Sequence, residues 1–309
     1  MQLSSAAPVP PPPPPHLHDI PNGIDRRRTI RIRRSSLLDA KLDQLDKPSI
    51  KIAEDFDEFC QAFKVLHDVY LSSGYLPHED PSGMHLGLHH LLPKTCVFVF
   101  KTYLTVLSTM SYIPDSPEFG LPMDDLYKDE LDVLRDSGRK VVELGSLATT
   151  RHRCWQNLMV FLSKAVFQYA LCTDADDLCI MVNPKHVRFY NSIFLFQPFA
   201  EERHYAKVDA PAVALRVDMR NIEPALRHAY SGSDFDTDLH SFFVKINSHA
   251  IDTTMDTRCA EKNAPLNPEI AEHLLLARPE LVRGLSLEKL AELERLYPAV
   301  LHRMPRLHI

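Results

Sequence analysis

The chain has 309 residues, of which 45% are hydrophobic and 25% charged, and its formal net charge is −6. That length can bury one large core with or without an appendage. The acidic balance argues against a nucleic-acid binder, and no apolar run is long enough to span a membrane.

The first segment is dominated by six consecutive prolines ending at Pro15. Proline supplies no donor to a helix or a ladder, so an extended or disordered tail is expected. A basic arm follows: Arg26, Arg27, Arg28, Arg31, Arg33 and Arg34 outweigh Asp19 and Asp25. Residues 1–36 are therefore formally +4, and the rest of the chain is −10. No nucleic-acid motif follows the arm, so no nucleic-acid partner is expected, and at most a weak contact with an anionic membrane surface. The beginning lacks the charged and apolar regions of a secretory signal. Cys60, Cys96, Cys154, Cys172, Cys179 and Cys259 form no C-x-x-C pair and mostly sit in apolar segments. They predict reduced, buried thiols in a cytoplasmic protein.

Ser49 to Ala53 alternates like a strand. From Asp55 to Ser73, Phe56, Phe59, Cys60, Phe63, Leu66 and Tyr70 recur on one helix face, with Gly74 as the stop. Tyr75 to Pro93 is a long loop of the kind that usually carries function. Thr95 to Phe100 and Tyr103 to Met110 predict a hairpin. A second loop spans Asp115 to Pro122, a helix Asp124 to Ser137, a strand Lys140 to Thr149, and a long helix Trp155 to Cys172. Leu178 to Val182 is a strand and His186 to Ile193 a helix. Phe199 to Lys207 and Ala212 to Val217 close the pattern as strands. The order specifies an α/β fold with a mixed central sheet flanked by helices. Beyond Asn221 the character changes. Asn267-Pro268-Glu269 is a helix start, and Leu285 to Pro298 is an amphipathic helix. The expected organisation is a Pro- and Arg-rich tail at 1–47, an α/β domain at 48–221 and a C-terminal helical extension at 222–309.

One stretch is especially informative. The strand ending at Val182 runs into Asn183, Tyr190 follows seven residues later, and Phe196 opens the next strand. Seven residues are about two helical turns, so Asn183 and Tyr190 share one helix face. This pattern resembles the GNAT acyltransferase superfamily, in which such a Tyr protonates the departing thiolate. A closer resemblance is carried by five blocks. They are Leu66-His-Asp-Val-Tyr-Leu-Ser-Ser-Gly-Tyr75, Phe119-Gly-Leu-Pro-Met-Asp124, Glu130-Leu-Asp-Val-Leu-Arg135, Val142-Glu-Leu-Gly-Ser-Leu-Ala148 and Val182-Asn-Pro-Lys-His-Val-Arg-Phe-Tyr190. Together they look like the long-chain N-acyl amino acid synthases, relatives of the acyl-homoserine-lactone synthases on a GNAT-like fold, over roughly residues 49–220. The resemblance implies transfer of a fatty acyl group from an acyl carrier protein thioester to the α-amine of an amino acid. Acyl-phosphopantetheine is then the donor, and no cofactor is tightly bound. Other acyltransferases, with another amine or acyl-CoA, remain open, as does a silent module that binds acylated carrier protein.

Amide formation from a thioester needs a base, a cradle for the oxyanion and an acid for the thiolate. Glu143 is the only carboxylate in its strand and is the candidate base, provided that burial raises its pKa. Gly145 predicts a bulge whose N–H groups, from Gly145, Ser146, Leu147 and Ala148, face outward to the oxyanion. Tyr190 is the candidate acid, and the Asn183 amide would hold the pantetheine arm. There is no glycine between Gly145 and Gly232, so the usual phosphate-cradling turn after this strand cannot form. A carrier-protein donor has no adenosine pyrophosphate to bind there. Arg151, His152, Arg153, Lys185 and Arg188 would give a basic rim for an acidic carrier protein. Pocket-lining residues are expected from Tyr75 to His90 and from Gly120 to Tyr127, with Tyr75, Met123 and Asp124 foremost. No metal is expected: His85, His89 and His90 flank Gly87, lack a following Glu, and do not form a metal-binding helix. Ser146 is no nucleophile elbow, and Asp174, Asp176 and Asp177 lack calcium-loop spacing.

Overall fold

The computed structural model describes residues 45–150, 158–233, 238–244 and 262–303. Its sheet is built from β1 (Ser49–Ile52), β2 (Cys96–Lys101), β3 (Val106–Pro114), β4 (Val141–Thr149), β5 (Asp177–Val182), β6 (Gln197–Pro198), β7 (Arg203–Tyr205) and β8 (Ala210–Asp218). The spatial order is β1-β2-β3-β4-β5-β8-β6, with β7 on β8. Only β4 and β5 run parallel; the other pairs are antiparallel. The sheet is therefore mixed. Strands β2 and β3 are buried almost throughout, which their β-branched and aromatic residues suit.

Two helix layers cover the sheet. On one face lie α1 (Phe56–Ser72) and α2 (Asp124–Asp136), and on the other α3 (Leu158–Cys172) and α4 (Pro184–Phe194). Neighbouring residues of β3 show the alternation. Ser111 meets His90 under α1, while the Tyr112 ring packs on Tyr169 of α3. Glu143 and Gly145 share the Ser111 face, because Ile113 pairs with Glu143 and Ser111 with Gly145. After β8 come α5 (Ile222–Tyr230), α6 (Leu239–Val244), α7 (Pro268–Ala277), α8 (Leu287–Leu296) and α9 (Pro298–Leu301).

The C-terminal helices are part of the main core. Leu266, Ile270, Ala271, Leu274, Leu275, Leu293 and Tyr297 are buried in one cluster with Phe59, Phe63, Leu86, Leu91 and Val97. Burial at roughly 1.5–3 kcal/mol per large apolar side chain makes this contact a major source of cohesion. Polar ties fix its register: the Tyr297 hydroxyl donates to the Leu91 carbonyl, and Arg278 to the Met84 carbonyl at 2.7 Å.

Several expectations need correction. The β3 strand starts at Val106 and runs to Pro114, further along the chain than the hairpin reading put it. Phe199 to Lys207 is not one strand: only Gln197–Pro198 and Arg203–Tyr205 pair, because Glu201 and Glu202 are exposed between them. Phe56 is exposed at the start of α1, where its ring meets His273 edge-on at 4.6 Å. Cys172 is disulfide-bonded, whereas Cys60, Cys96 and Cys179 are free. The reduced-thiol expectation therefore fails at Cys172. No helix among the described residues is long and apolar enough to cross a membrane. The tail, the arginine arm, Arg151, His152, Arg153 and Trp155 lie outside the described residues.

Candidate active site

The site forms where the sheet comes apart. The β4 and β5 strands pair only at Val141 with Asp177, Val142 with Leu178 and Glu143 with Cys179. Beyond Glu143 the two strands diverge, though β4 continues to Thr149 and β5 to Val182. On its other edge β4 stays paired to β3, with a register shift opposite Gly145 to Ala148. Ser146 takes a left-handed φ of 52° there. The expected bulge exists, but the serine and not the glycine adopts the unusual backbone. Left-handed backbone costs a non-glycine residue about 1–2 kcal/mol, so something must hold it. The Ser146 hydroxyl meets His90 Nε2 at 3.1 Å. The same nitrogen reaches the Ser111 hydroxyl at 3.0 Å, and Nδ1 faces the backbone of Gly87 at 2.9 Å. Burial pushes the His90 pKa down to about 4, so the ring is neutral. His90 therefore braces the bulge, a role its rejection as a metal ligand leaves intact. Among the described residues no cluster of three or more potential ligands is arranged for a metal.

Glu143 stands at the apex of the wedge, 4% exposed. Burial pushes its pKa up to about 8; the Met123 N–H, donating to Oε2 at 2.7 Å, opposes that, while Asp124 and Asp125 add to it. No cation is within ion-pair distance of it among the described residues. A group with this pKa is mostly protonated at pH 7 and half-ionised near pH 8, close enough to neutrality to suit proton transfer.

The loop before α2 delivers the Met123 N–H. Arg135 binds Asp115 at 2.6 and 2.9 Å and Asp124 at 2.8 Å through both terminal nitrogens. Asp124 Oδ2 in turn accepts from the Leu121 N–H at 2.7 Å. Gly120 makes this possible: its φ is +64°, and a Cβ would lie 2.2 Å from Asp124 Oδ2. The motif residues from Phe119 to Asp124 and Arg135 are thus one bracket for the Glu143 carboxylate.

Tyr190 projects from α4 into the same cavity. Its hydroxyl has no hydrogen-bond partner among the described residues, and burial, with nearby Tyr70, raises its pKa. Tyr70 was read from sequence only as a core position. It lines the cavity, couples to both Glu143 and Tyr190, and burial pushes it up to about 12. Tyr205, also unassigned, lies near Asp125, Glu143 and Tyr70. Asn183 caps α4, its Oδ1 accepting from the Lys185 N–H at 3.2 Å. That commits the oxygen of the amide and leaves its nitrogen for a ligand. Leu195 ends the helix with φ 62°, the left-handed turn where glycine is usual. Its side chain is buried, which offsets the strain.

The cavity has a volume of about 1900 Å³, above the range of ordinary small-ligand pockets. Tyr70 and Tyr75 line it from the α1 side, and Met159, Ser163 and Phe167 from α3 on the opposite side of the sheet. It therefore passes through the sheet at the wedge. Lys185 stands over the Tyr75 ring at 5.8 Å, and Arg188 is exposed on the same helix. Met123 and Asp124 also line the cavity.

The mixed sheet, divided at a buried carboxylate, is that of an N-acyltransferase of GNAT-like fold. A profile of the N-acyl amino acid synthase FeeM matches residues 61–218. That is just over half of the chain, and the protein belongs to this family. Among solved structures, it is similar to FeeM, an N-acyl amino acid synthase from uncultured soil microbes. The two are 27% identical with a TM-score of 0.51, over 58% of this chain and 93% of that one. Weaker similarities are to BjaI, a CoA-dependent acyl-homoserine lactone synthase (14% identity, TM-score 0.46, 60% of this chain and 88% of that one), and to the AHL synthase LasI (12%, 0.45, 58% and 94%). No curated protein sequence matches.

Proposed function

We propose that this N-acyltransferase moves a long-chain fatty acyl group from an acyl carrier protein thioester to the α-amine of an amino acid. The observation that carries the reading is the uncompensated Glu143 carboxylate facing a cavity that runs through the sheet. Glu143 takes a proton from the ammonium group, and the freed amine attacks the thioester carbonyl. The N–H groups of Gly145, Ser146, Leu147 and Ala148, on the strand edge that β5 leaves unpaired, hold the oxyanion. As the C–S bond breaks, Tyr190 gives its proton to the thiolate. The proton still carried by the new amide nitrogen leaves in its turn, so the balance closes with one proton released per amide formed. The part of the cavity between Met159, Phe167 and Phe194 is apolar and suits a fatty chain. In this reading the Asn183 amide nitrogen holds the pantetheine arm, and Tyr75, Met123 and Asp124 receive the acceptor.

A carrier protein is favoured as donor because the segment after β4 has no glycine to cradle a pyrophosphate, and because Arg151, Arg153, Lys185 and Arg188 offer an acidic partner a basic rim. The domain division at 47 and 221 remains part of the proposal, with the extension after 222 packed on the transferase core. Mass spectrometry of lipids from cells expressing the protein, beside cells expressing Glu143→Gln, tests the reading. New N-acyl amino acids in the first only are expected; unchanged lipids in both end it. In vitro, transfer from acyl carrier protein should exceed transfer from acyl-CoA and weaken with salt. Preference for acyl-CoA with no salt effect would overturn the donor assignment.

A further inference from the structure

Part of the cavity wall comes from beyond the family match. Leu281, Leu285 and Lys289 line it beside His89 and Phe119, although the match ends at residue 218. Lys289 is half-buried, and its Nζ lies 5.8 Å from the Phe119 ring centroid. No carboxylate is within ion-pair distance of it among the described residues. Of the acids that line this part of the cavity, Asp125 pairs with Lys207 and Glu280 with Arg278, and Glu118 is not within ion-pair distance of Lys289. His89 Nε2 is buried in the same wall with no hydrogen-bond partner. Burial lowers the pKa of this ring, the carbonyls of Phe119 and Gly120 oppose that, and Lys289 adds to the lowering. The Lys289 ammonium lacks an anionic acceptor, and the orphaned His89 nitrogen beside it becomes a second donor once the ring is protonated.

We propose that Lys289 and His89 form a carboxylate subsite that selects an amino acid over a simple amine as acyl acceptor. The carboxylate pairs with Lys289 Nζ and draws a proton onto His89, whose Nε2–H then donates to it while the other ring N–H stays on the Phe119 and Gly120 carbonyls. Asp125 interacts with both Glu143 and His89, so the subsite and the base share one region of the cavity. The acceptor then lies with its amine toward Glu143 and its carboxylate toward the C-terminal helices. The extension thereby becomes part of the specificity machinery. The proposal rests on the acyl-transfer reading above, and the experiment separates the two.

The full chain is assayed with acyl carrier protein thioester and twenty amino acids. The best acceptor is then compared with the amine that lacks only its carboxylate. In the wild type, kcat/KM should favour the amino acid at least tenfold. Lys289→Met should reduce that preference to near unity, mainly through KM for the amino acid, and Lys289→Arg should restore most of it. Equal use of both acceptors by the wild type, or an equal loss on both in Lys289→Met, would overturn the subsite while leaving acyl transfer standing. If the wild type acylates no amine at all, the transfer reading falls, and the subsite with it.

Discussion

Glu58 and Glu143 are two glutamates buried to nearly the same extent, at 3% and 4% exposure, in opposite electrostatic settings. Glu58, in the first turn of α1, lies against Lys101 at 2.6 Å and Lys51 at 3.2 Å and accepts from the Glu54 N–H at 3.1 Å. Burial pushes its pKa up, but Lys101, that N–H and Lys51 outweigh it, and the net shift is downward. Glu143 has one N–H donor, two nearby aspartates, only the more distant Lys207 in opposition and no cation within ion-pair distance among the described residues, and its pKa rises to about 8. Burial alone therefore does not make a functional carboxylate. The difference lies in whether the fold supplies a positive partner, and at Glu143 it withholds one.

The largest expected effect concerns catalysis. Glu143→Gln keeps the volume and the Met123 contact but removes the base, so acyl transfer should fall on the order of a hundredfold or more. Glu58→Gln should leave turnover of the folded fraction within about twofold, since it is remote from the proton path. A similar loss in both variants, measured at matched folded concentration, would erase the distinction.

Next in size is the dependence of stability on pH. The folded pKa of Glu143 lies above its unfolded value of 4.5. The native state thus keeps a proton that the unfolded chain releases, and stability declines as pH rises from about 4.5 to about 8, then levels off. For Glu58 the sign reverses: its contribution is present above the ordinary carboxylate range and is lost as pH falls through its lowered pKa. Denaturant titrations should show Glu143→Gln gaining on the wild type by up to about 3 kcal/mol between pH 5 and 9. A constant difference would mean that Glu143 is not perturbed. The rate itself should rise with pH toward about 8, and that limb should be absent from the residual activity of Glu143→Gln.

A smaller loss is expected at the paired site. Glu58→Gln leaves Lys51 and Lys101 without their partner, though both side chains reach solvent, and should cost about 2 kcal/mol by urea unfolding. Smallest is Tyr70→Phe. Removing a hydroxyl that couples to Glu143 and Tyr190 should move the alkaline rise of the rate by a few tenths of a pH unit, read from a full pH profile. No displacement would remove Tyr70 from the site's electrostatics.

How much of this was legible in the sequence follows from the range of each interaction. Glu143 stood out because a lone carboxylate in an apolar strand is a local anomaly. Its Met123 donor did not, because that contact joins residues twenty apart through the Arg135 bracket. The Asn183 to Tyr190 spacing specified a helix face, and α4 has that face. The bulge was foreseeable from Gly145, but its left-handed residue is Ser146, since the brace comes from His90, 56 positions away. For the same reason His90 could be judged only as a metal ligand. The leucines of the last helices announced a buried face without naming its partner, which is α1 and the loop from Met84 to Leu92.

The short pairing of β4 with β5 has a structural consequence. Three residue pairs join two half-sheets, and the closed end of this seam is stapled by Arg139 and Arg216 on the buried Asp177, with Arg139 also on Asp218. Past Glu143 no strand pairing crosses the gap. The ladder bonds between β4 and β5 and the arginine staple all lie at the closed end, so none of them spans the mouth. The open backbone edges are thus gathered at one end of the seam, and Glu143 sits where the pairing stops.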